Sequence, residues 1–507
     1  LWRQAFPGDA DPAFTDAELA LINRASNAPT RAILPGHNFS LSSTGGVLLP
    51  GSIFSPGLDL DNNGVDDCSQ SYQGYISTFD FSPPAFGFIG GCWIIEDDGN
   101  VRPLRDGLIS NDINQFGEDG IADQRDQDVL IPEDEKIAVN FTGRYDLNNS
   151  VSFFYEGKWT EQVTEFADTQ SSFWDLLTIA PDNPYISQLP PALAAVGQAE
   201  GLFITRDPID TGAAQKEATR NTTRFVLGLE GETDRGWTWE VSANYGSFDL
   251  EYIDRNRLIV DRWFAAIDAI DDGDGNPICR SDVDPTPPPT TPFQIPVAVP
   301  GFFTFNPGDG QCRPANILGG VGAISQESID FFTATVVNEF ETEQLVFSAV
   351  LAGEAWELPA GPVGFAVGAE WREEESKAKF DPLVRGILPV TTAFGNEGQT
   401  LAEVFEDDPG RTQRSLVFDS GSLIDNVVGD YDVAEVFGEV AVPILAGKSF
   451  AEELTLDAAA RFSDYSTIGS TTTWKIGGSW TPVSDSFRLR GAYSVAVRAP
   501  NIQELFS

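Results

Sequence analysis

The side chains whose types and spacing come nearest to a chemical site lie in Asp59-Leu60-Asp61-Asn62-Asn63-Gly64-Val65-Asp66-Asp67. Asp59, Asp61 and Asn63 alternate and Gly64 follows. A calcium loop supplies its hard oxygen ligands in that order and then turns sharply. Asp66 would add a further carboxylate. Gln70 stands where such a loop carries its bidentate Glu, so a solvated acidic loop is the competing reading. Asp272-Gly273-Asp274-Gly275-Asn276 is a weaker echo of the same pattern. Calcium is the one cofactor the residues suggest. The four cysteines fall into two local pairs, Cys68 with Cys92 and Cys279 with Cys312, without Cys-x-x-Cys spacing. That disfavours zinc and favours loop-stapling disulfides in an oxidising compartment over free thiols.

Other chemistry is poorly served. His37 is the only histidine, so His-based triads and His-Glu metal motifs cannot be assembled. No Gly-x-Ser-x-Gly or Walker loop is present. Acid pairs such as Glu373-Glu374 carry little weight in a chain with 77 acidic against 31 basic residues and a formal charge of -46. An enzyme is not expected. Nucleic acid is not an expected partner either, because phosphate binding needs clustered Lys and Arg.

The elements that would carry such loops show period-two alternation. Val151, Phe153, Tyr155 and Trp159 alternate with Ser152, Glu156, Lys158 and Thr160. Similar runs recur around 137–145, 224–230, 237–245, 345–354, 363–372, 435–442, 454–463, 474–480 and 487–495. About ten strands of some ten residues result. At ~3.3 Å per residue and a tilt near 45°, each rises ~23 Å, the height of an outer-membrane apolar band. Brief turns near 148, 234, 359, 448 and 484 alternate with long segments at about 162–221, 249–342 and 375–431. Short turns on one rim and long Asp/Gly/Pro-rich loops on the other are the layout of a transmembrane barrel. No run of ~18 apolar residues supports a membrane helix. The exposed face of a soluble antiparallel sheet would alternate identically.

The apolar rows are therefore expected to face lipid. Glu156, Lys158, Glu230, Glu240, Glu370, Arg372, Asp457, Arg461, Lys475, Arg488 and Arg490 are expected to line a wet lumen. Residues 1–135 read as a loop-rich part of the barrel domain with irregular strands. A short helix is expected from Thr15-Asp16-Ala17-Glu18 through Leu19 and Ile22, and another from Ser325. Residues 136–507 read as strands with long extracellular loops. The chain lacks Met and a signal peptide, as expected if it does not begin at an initiator.

The final stretch contains Arg498-Ala499-Pro500-Asn501 followed by Glu504-Leu505-Phe506. It resembles the signature of the TonB-dependent receptor barrel. Asp457 to Tyr465, Trp474 to Pro482, and Leu358-Pro359-Ala360-Gly361-Pro362 through Glu374 resemble other strands of that family, in the right order. Asp182-Asn183-Pro184-Tyr185 and Gly310 through Ile317 resemble its loops. The resemblance covers about residues 136–507. It implies an all-β, antiparallel transmembrane barrel in the bacterial outer membrane, of which this chain supplies about half of 22 strands. The plug domain, the TonB box and the last strands are expected to be missing. It further implies coupled uptake of a scarce nutrient (a siderophore, vitamin or saccharide), with outer-membrane lipid and, through the plug, the TonB complex as partners. A passive porin-like channel, or a secreted β protein held by calcium and disulfides, are the alternatives.

Overall fold

The computed structural model describes residues 37–39, 42–51, 57–70, 91–105, 107–111, 114–122, 129, 131–168, 173–286, 301–389, 397–404, 415–417, 424–483 and 487–506. The helix expected at 15–22 and the turn expected near 484 lie outside them.

Ten strands form one antiparallel sheet: β1 (Glu133–Asn148), β2 (Val151–Asp168), β3 (Ala214–Glu232), β4 (Thr238–Leu258), β5 (Thr333–Leu358), β6 (Gly361–Lys379), β7 (Val427–Lys448), β8 (Ala451–Tyr465), β9 (Gly469–Thr481) and β10 (Leu489–Val495). Each strand pairs with its neighbour in chain order. Tight turns impose that order. Between β3 and β4, Gly236 takes φ 76°, which a side chain resists, and its N–H closes the turn on the Thr233 carbonyl. Among the described residues, β1 and β10 are each paired on one side only, so this is a sector of a barrel.

Register sorts the side chains. Residues directly opposite share a face, and faces alternate along a strand. Trp159 opposes Val139 and Thr223, Leu227 opposes Tyr155 and Ala243, Phe347 opposes Ala243 and Trp371, and Phe462 opposes Val436. Ile476 opposes Ala458 and Tyr493. Carried across all ten strands, this puts every apolar row read from the sequence on one face. Those rows are open: Leu227 is 54%, Ile476 58% and Tyr493 68% exposed. A soluble sandwich would bury them under a second sheet.

The strands outrun the alternation. β5 has 26 residues, against the ten or so visible in the sequence. Past the apolar rows, the same face becomes acidic: Glu165 opposes both Glu133 and Glu217, Asp249 opposes Glu341, and Glu375 opposes both Glu343 and Asp430. Like charges set opposite each other are destabilising. Lys377 offsets this at Glu375 (2.8 Å), Lys379 at Glu339 (2.7 Å) and Arg255 at Glu217 (2.8 Å). With both faces polar, no period-two signal survives there, and these strand ends read as loop.

Much of the remainder is a second folded layer. Phe173–Ile179, Leu202–Arg206, Val47–Pro50, Trp93–Ile95 and Val101–Pro103 form a five-stranded antiparallel sheet in that spatial order. Its core joins Leu48, Trp93 and Ile95 to Leu177 and Ile204, and to Trp263, Phe305 and Phe332 from the connection between β4 and β5. The strands Val47–Pro50 and Trp93–Ile95 therefore share a core with the connections between β2 and β3 and between β4 and β5. The helix expected at Ser325 is present as Gln326–Phe332, capped by the Ser325 side chain, with Ile329 and Phe332 buried.

Polar anchors tie this layer together. Arg206 is fully buried; it donates to the Thr44 and Gly320 carbonyls and pairs with Asp210 at 2.8 Å. Asp261 accepts from the backbone N–H of Phe303 and Thr304 and from the Thr304 hydroxyl. Arg280 joins Asp182 (2.5 Å) to Asp268 (3.1 Å). Cys68–Cys92 and Cys279–Cys312 are both disulfides, as the local pairing of the cysteines implied.

Candidate functional site

The face opposite the apolar rows is built from charged and hydroxyl side chains. Glu156 and Lys158 of β2, Glu230 of β3, Glu240 of β4, Glu370 and Arg372 of β6, Asp457 and Arg461 of β8, Lys475 of β9 and Arg490 of β10 all fall on it by register. Arg488, just ahead of β10, reaches the same face, where it donates to Thr481 and pairs with Glu453 at 3.1 Å.

These groups are arranged in pairs. Arg224 lies 3.5 Å from Glu156, Arg144 pairs with Glu230, and Lys475 lies 3.2 Å from Asp457. The densest set crosses β5 to β8. Gln344 donates to Glu374, which pairs with Arg372 at 3.0 Å; Arg372 and Arg461 both approach Glu370, at 3.9 and 3.7 Å. Arg461 also pairs with Glu435, which accepts from the Ser463 hydroxyl, and the Arg461 guanidinium lies over the Phe437 ring. Glu374, Glu435 and Ser463 were not among the candidates from sequence. Their parity was legible, but nothing in one dimension marks which polar residues meet across strands.

The signature segment closes back on this face. Val495 ends β10, and the turn Ile502–Phe506 packs Ile502, Leu505 and Phe506 against Tyr431, Val433 and Tyr465. Asn501 and Glu504 cap each other: the Glu504 N–H donates to the Asn501 side chain (2.8 Å), and the Asn501 N–H to Glu504 (3.0 Å). Arg498 pairs with Glu504 across Ala499 and Pro500. Beneath the Phe506 ring lies Gly429, where a Cβ would stand 2.2 Å from ring carbons. The polar face of β6 to β10, with Ala496 and Val497 just beyond β10, lines an open cavity of about 540 Å³.

The acidic loop lies elsewhere. It gathers Asp59, Asp61 and Asp67, whose carboxylate oxygens lie within 4.8 Å of one another; Asp67, not Asp66, is the third member. Asp67 is buried and accepts from the Trp93 indole (2.8 Å) and the Leu60 N–H (3.0 Å). Burial pushes its carboxyl up, against those bonds. Asp59 is held below the usual range by the N–H groups of Gly64 and Asn63, against a desolvation effect that raises it. The Asn63 side-chain oxygen accepts from Val65 N–H. Such a donor set, all hard oxygen, fits calcium. The echo at 272–276 caps a hairpin: Asp271 and Asp272 accept from Gly273, Asp274, Gly275 and Asn276. The backbone of His37 lies in the strand His37–Phe39.

Among solved structures, the chain is similar to the ferric-catecholate import receptor Fiu from E. coli K12. In its closed form the identity is 10%, the TM-score 0.32, and the match covers 72% of this chain and 43% of the other. In its open form the values are 11%, 0.33, 73% and 48%. The chain spans less than half the length of those receptors. A sequence-family model described as "TonB dependent receptor-like, beta-barrel" matches residues 177–507, well over half of the chain and including the signature and the paired charges of β5 to β8. The chain belongs to the TonB-dependent receptor β-barrel family.

Proposed function

We propose that this chain is the barrel portion of a bacterial outer-membrane receptor that takes up a scarce nutrient, of siderophore, vitamin or saccharide class, with energy delivered through TonB. The observation that carries the reading is the sorting of a ten-stranded sheet into an open apolar face and a charge-paired face. In this reading the apolar face meets outer-membrane lipid, which cannot satisfy exposed polar groups. The paired face, with Glu156, Lys158, Glu230, Glu240, Glu370, Arg372, Asp457, Arg461, Lys475, Arg488 and Arg490, lines the water-filled interior. The layer built from the five-stranded sheet and the connection between β4 and β5 sits at the extracellular mouth, where an oxidising surrounding keeps its disulfides. The TonB complex acts through a plug domain in the lumen. Calcium is the ion suited to Asp59, Asp61 and Asp67.

Cell fractionation combined with uptake tests the reading. The protein should sediment with the outer membrane, and cells that carry it should accumulate the nutrient only while TonB is energised. Uptake that persists after TonB is deleted would indicate a passive channel. Recovery in the soluble fraction would indicate a secreted β protein.

A further inference from the structure

The cavity between the returning chain and the strand wall differs in charge from the rest of the molecule. The chain carries -46 overall, yet each cation on the cavity wall already has a carboxylate. Arg372 has Glu374, Arg461 has Glu435, and Lys475 has Asp457. Arg372 and Arg461 each keep a buried Nε without a hydrogen bond, but an anion that reaches it must compete with the carboxylate already paired there. A multiply charged anionic chelate is therefore disfavoured twice, by the local pairing and by the field of the whole chain.

What the wall does offer is hydrogen bonding, and Glu439, a further carboxylate on it, adds acceptors and no positive charge. Thr471, Thr473 and Ser494 line the cavity. Their hydroxyls are each donor and acceptor, and none makes a side-chain hydrogen bond among the described residues. The Arg461–Glu435 pair adds planar donors and acceptors, and the Tyr465 ring adds an apolar surface. A volume of about 540 Å³ lies within the range of small-molecule sites. Paired cations, an acceptor carboxylate, free hydroxyls and an aromatic side together suit a ligand with many hydroxyls, no negative charge and a C–H face.

We infer that this cavity binds a neutral, polyhydroxylated ligand, a short oligosaccharide in chemical class, held between the strand wall of β6 to β9 and the returning chain. The inference rests on the receptor reading above and narrows its substrate class. The turn Ile502–Phe506 anchors the returning chain by packing on Tyr431, Val433 and Tyr465.

Calorimetric titration of the protein in detergent micelles tests this, with cellotriose and maltotriose as neutral probes and ferric citrate as the anionic one. At least one trisaccharide should bind, and ferric citrate should not. The Thr471→Val/Thr473→Val variant keeps shape and strand preference while removing two hydroxyls, so its affinity should fall about tenfold or more. Overturning results are a folded protein that binds neither sugar, preference for ferric citrate, or a variant that binds undiminished. Outer-membrane fractionation addresses the receptor reading by itself, so sugar binding lost with membrane location intact counts against the ligand class alone.

Discussion

The two-faced sheet makes a directional prediction about charge. Leu227 sits mid-run on β3 between Phe225 and Leu229, opposite Tyr155 and Ala243, in a row that continues to Phe347 and Trp371. It is 54% exposed, so its replacement leaves no large cavity. The cost of Leu227→Arg is set by what lies outside it. In hydrocarbon near the bilayer centre a guanidinium costs about 2–4 kcal/mol, which lowers the folded-to-unfolded ratio by about thirty-fold or more. Thr142→Arg is the matched control. Thr142 opposes Glu156, which opposes Val226, so it stands at nearly the same height on the other face. There the new Arg meets water and a carboxylate, and the change should stay within about 0.5 kcal/mol. Urea titration of both variants inserted in phospholipid vesicles measures the difference. Equal costs would refute the assignment of faces, and a larger cost for Thr142→Arg would reverse it.

Four further outcomes are expected. Replacing Cys279 and Cys312 by Ser frees a loop with a sequence separation of 33; loop entropy alone predicts a loss of about 3–4 kcal/mol, read as faster amide exchange across 258–332 with the barrel strands unaffected. Arg280, chiefly by hydrogen bonding and against a burial effect that raises the group, holds the Asp182 carboxyl below its usual range. The stability this adds is therefore complete above the unfolded carboxylate value of about 3.9 and is lost as pH falls through the lower folded value; acid titration of amide exchange should show that loss, and Asp182→Asn should remove it. Gly429→Ala should push Phe506 off its seat and expose 496–506 to protease while the strands stay protected; an unchanged cleavage pattern would contradict the packing. Millimolar calcium should slow amide exchange at 57–70, and Asp61→Asn should abolish the effect; protection that does not respond to calcium would identify a self-sufficient acidic loop.

Legibility in the sequence followed the physics of each part. Where one face meets apolar surroundings and the other water, as at Val151 to Trp159 of β2, alternation is imposed residue by residue and can be read directly. Beyond the apolar band both faces are wet, and runs such as Glu339-Phe340-Glu341-Thr342-Glu343 put Glu where the apolar row would continue, so that row breaks off although β5 continues through them. The five-stranded layer was hidden for another reason. Val47–Pro50 pairs with Leu202–Arg206, and Leu48 lies over 150 positions from its partner Ile204. Most of its strands have only three to five residues, too short to show a period, and only the tertiary partner makes them strands. In the acidic loop the structure gathers Asp67, not Asp66, with Asp59 and Asp61. Counting carboxylates does not reveal which one turns inward to the Trp93 indole.

The candidate pocket depends on a feature that neither alternation nor motif spacing expresses. The signature segment could be recognised from Arg498 to Phe506, but its spacing says nothing about direction. Direction follows from packing: Tyr431, Val433 and Tyr465 share the polar face by register, so three apolar groups stand where a purely wet wall would have none. Left open to water they would each forfeit burial energy. Ile502, Leu505 and Phe506 cover them, and the absent side chain at Gly429 makes room for the Phe506 ring. The chain has to turn back across the wall to make that contact. The open space beside Ala496 and Val497 thus lies where the chain turns back toward an apolar patch on a polar face.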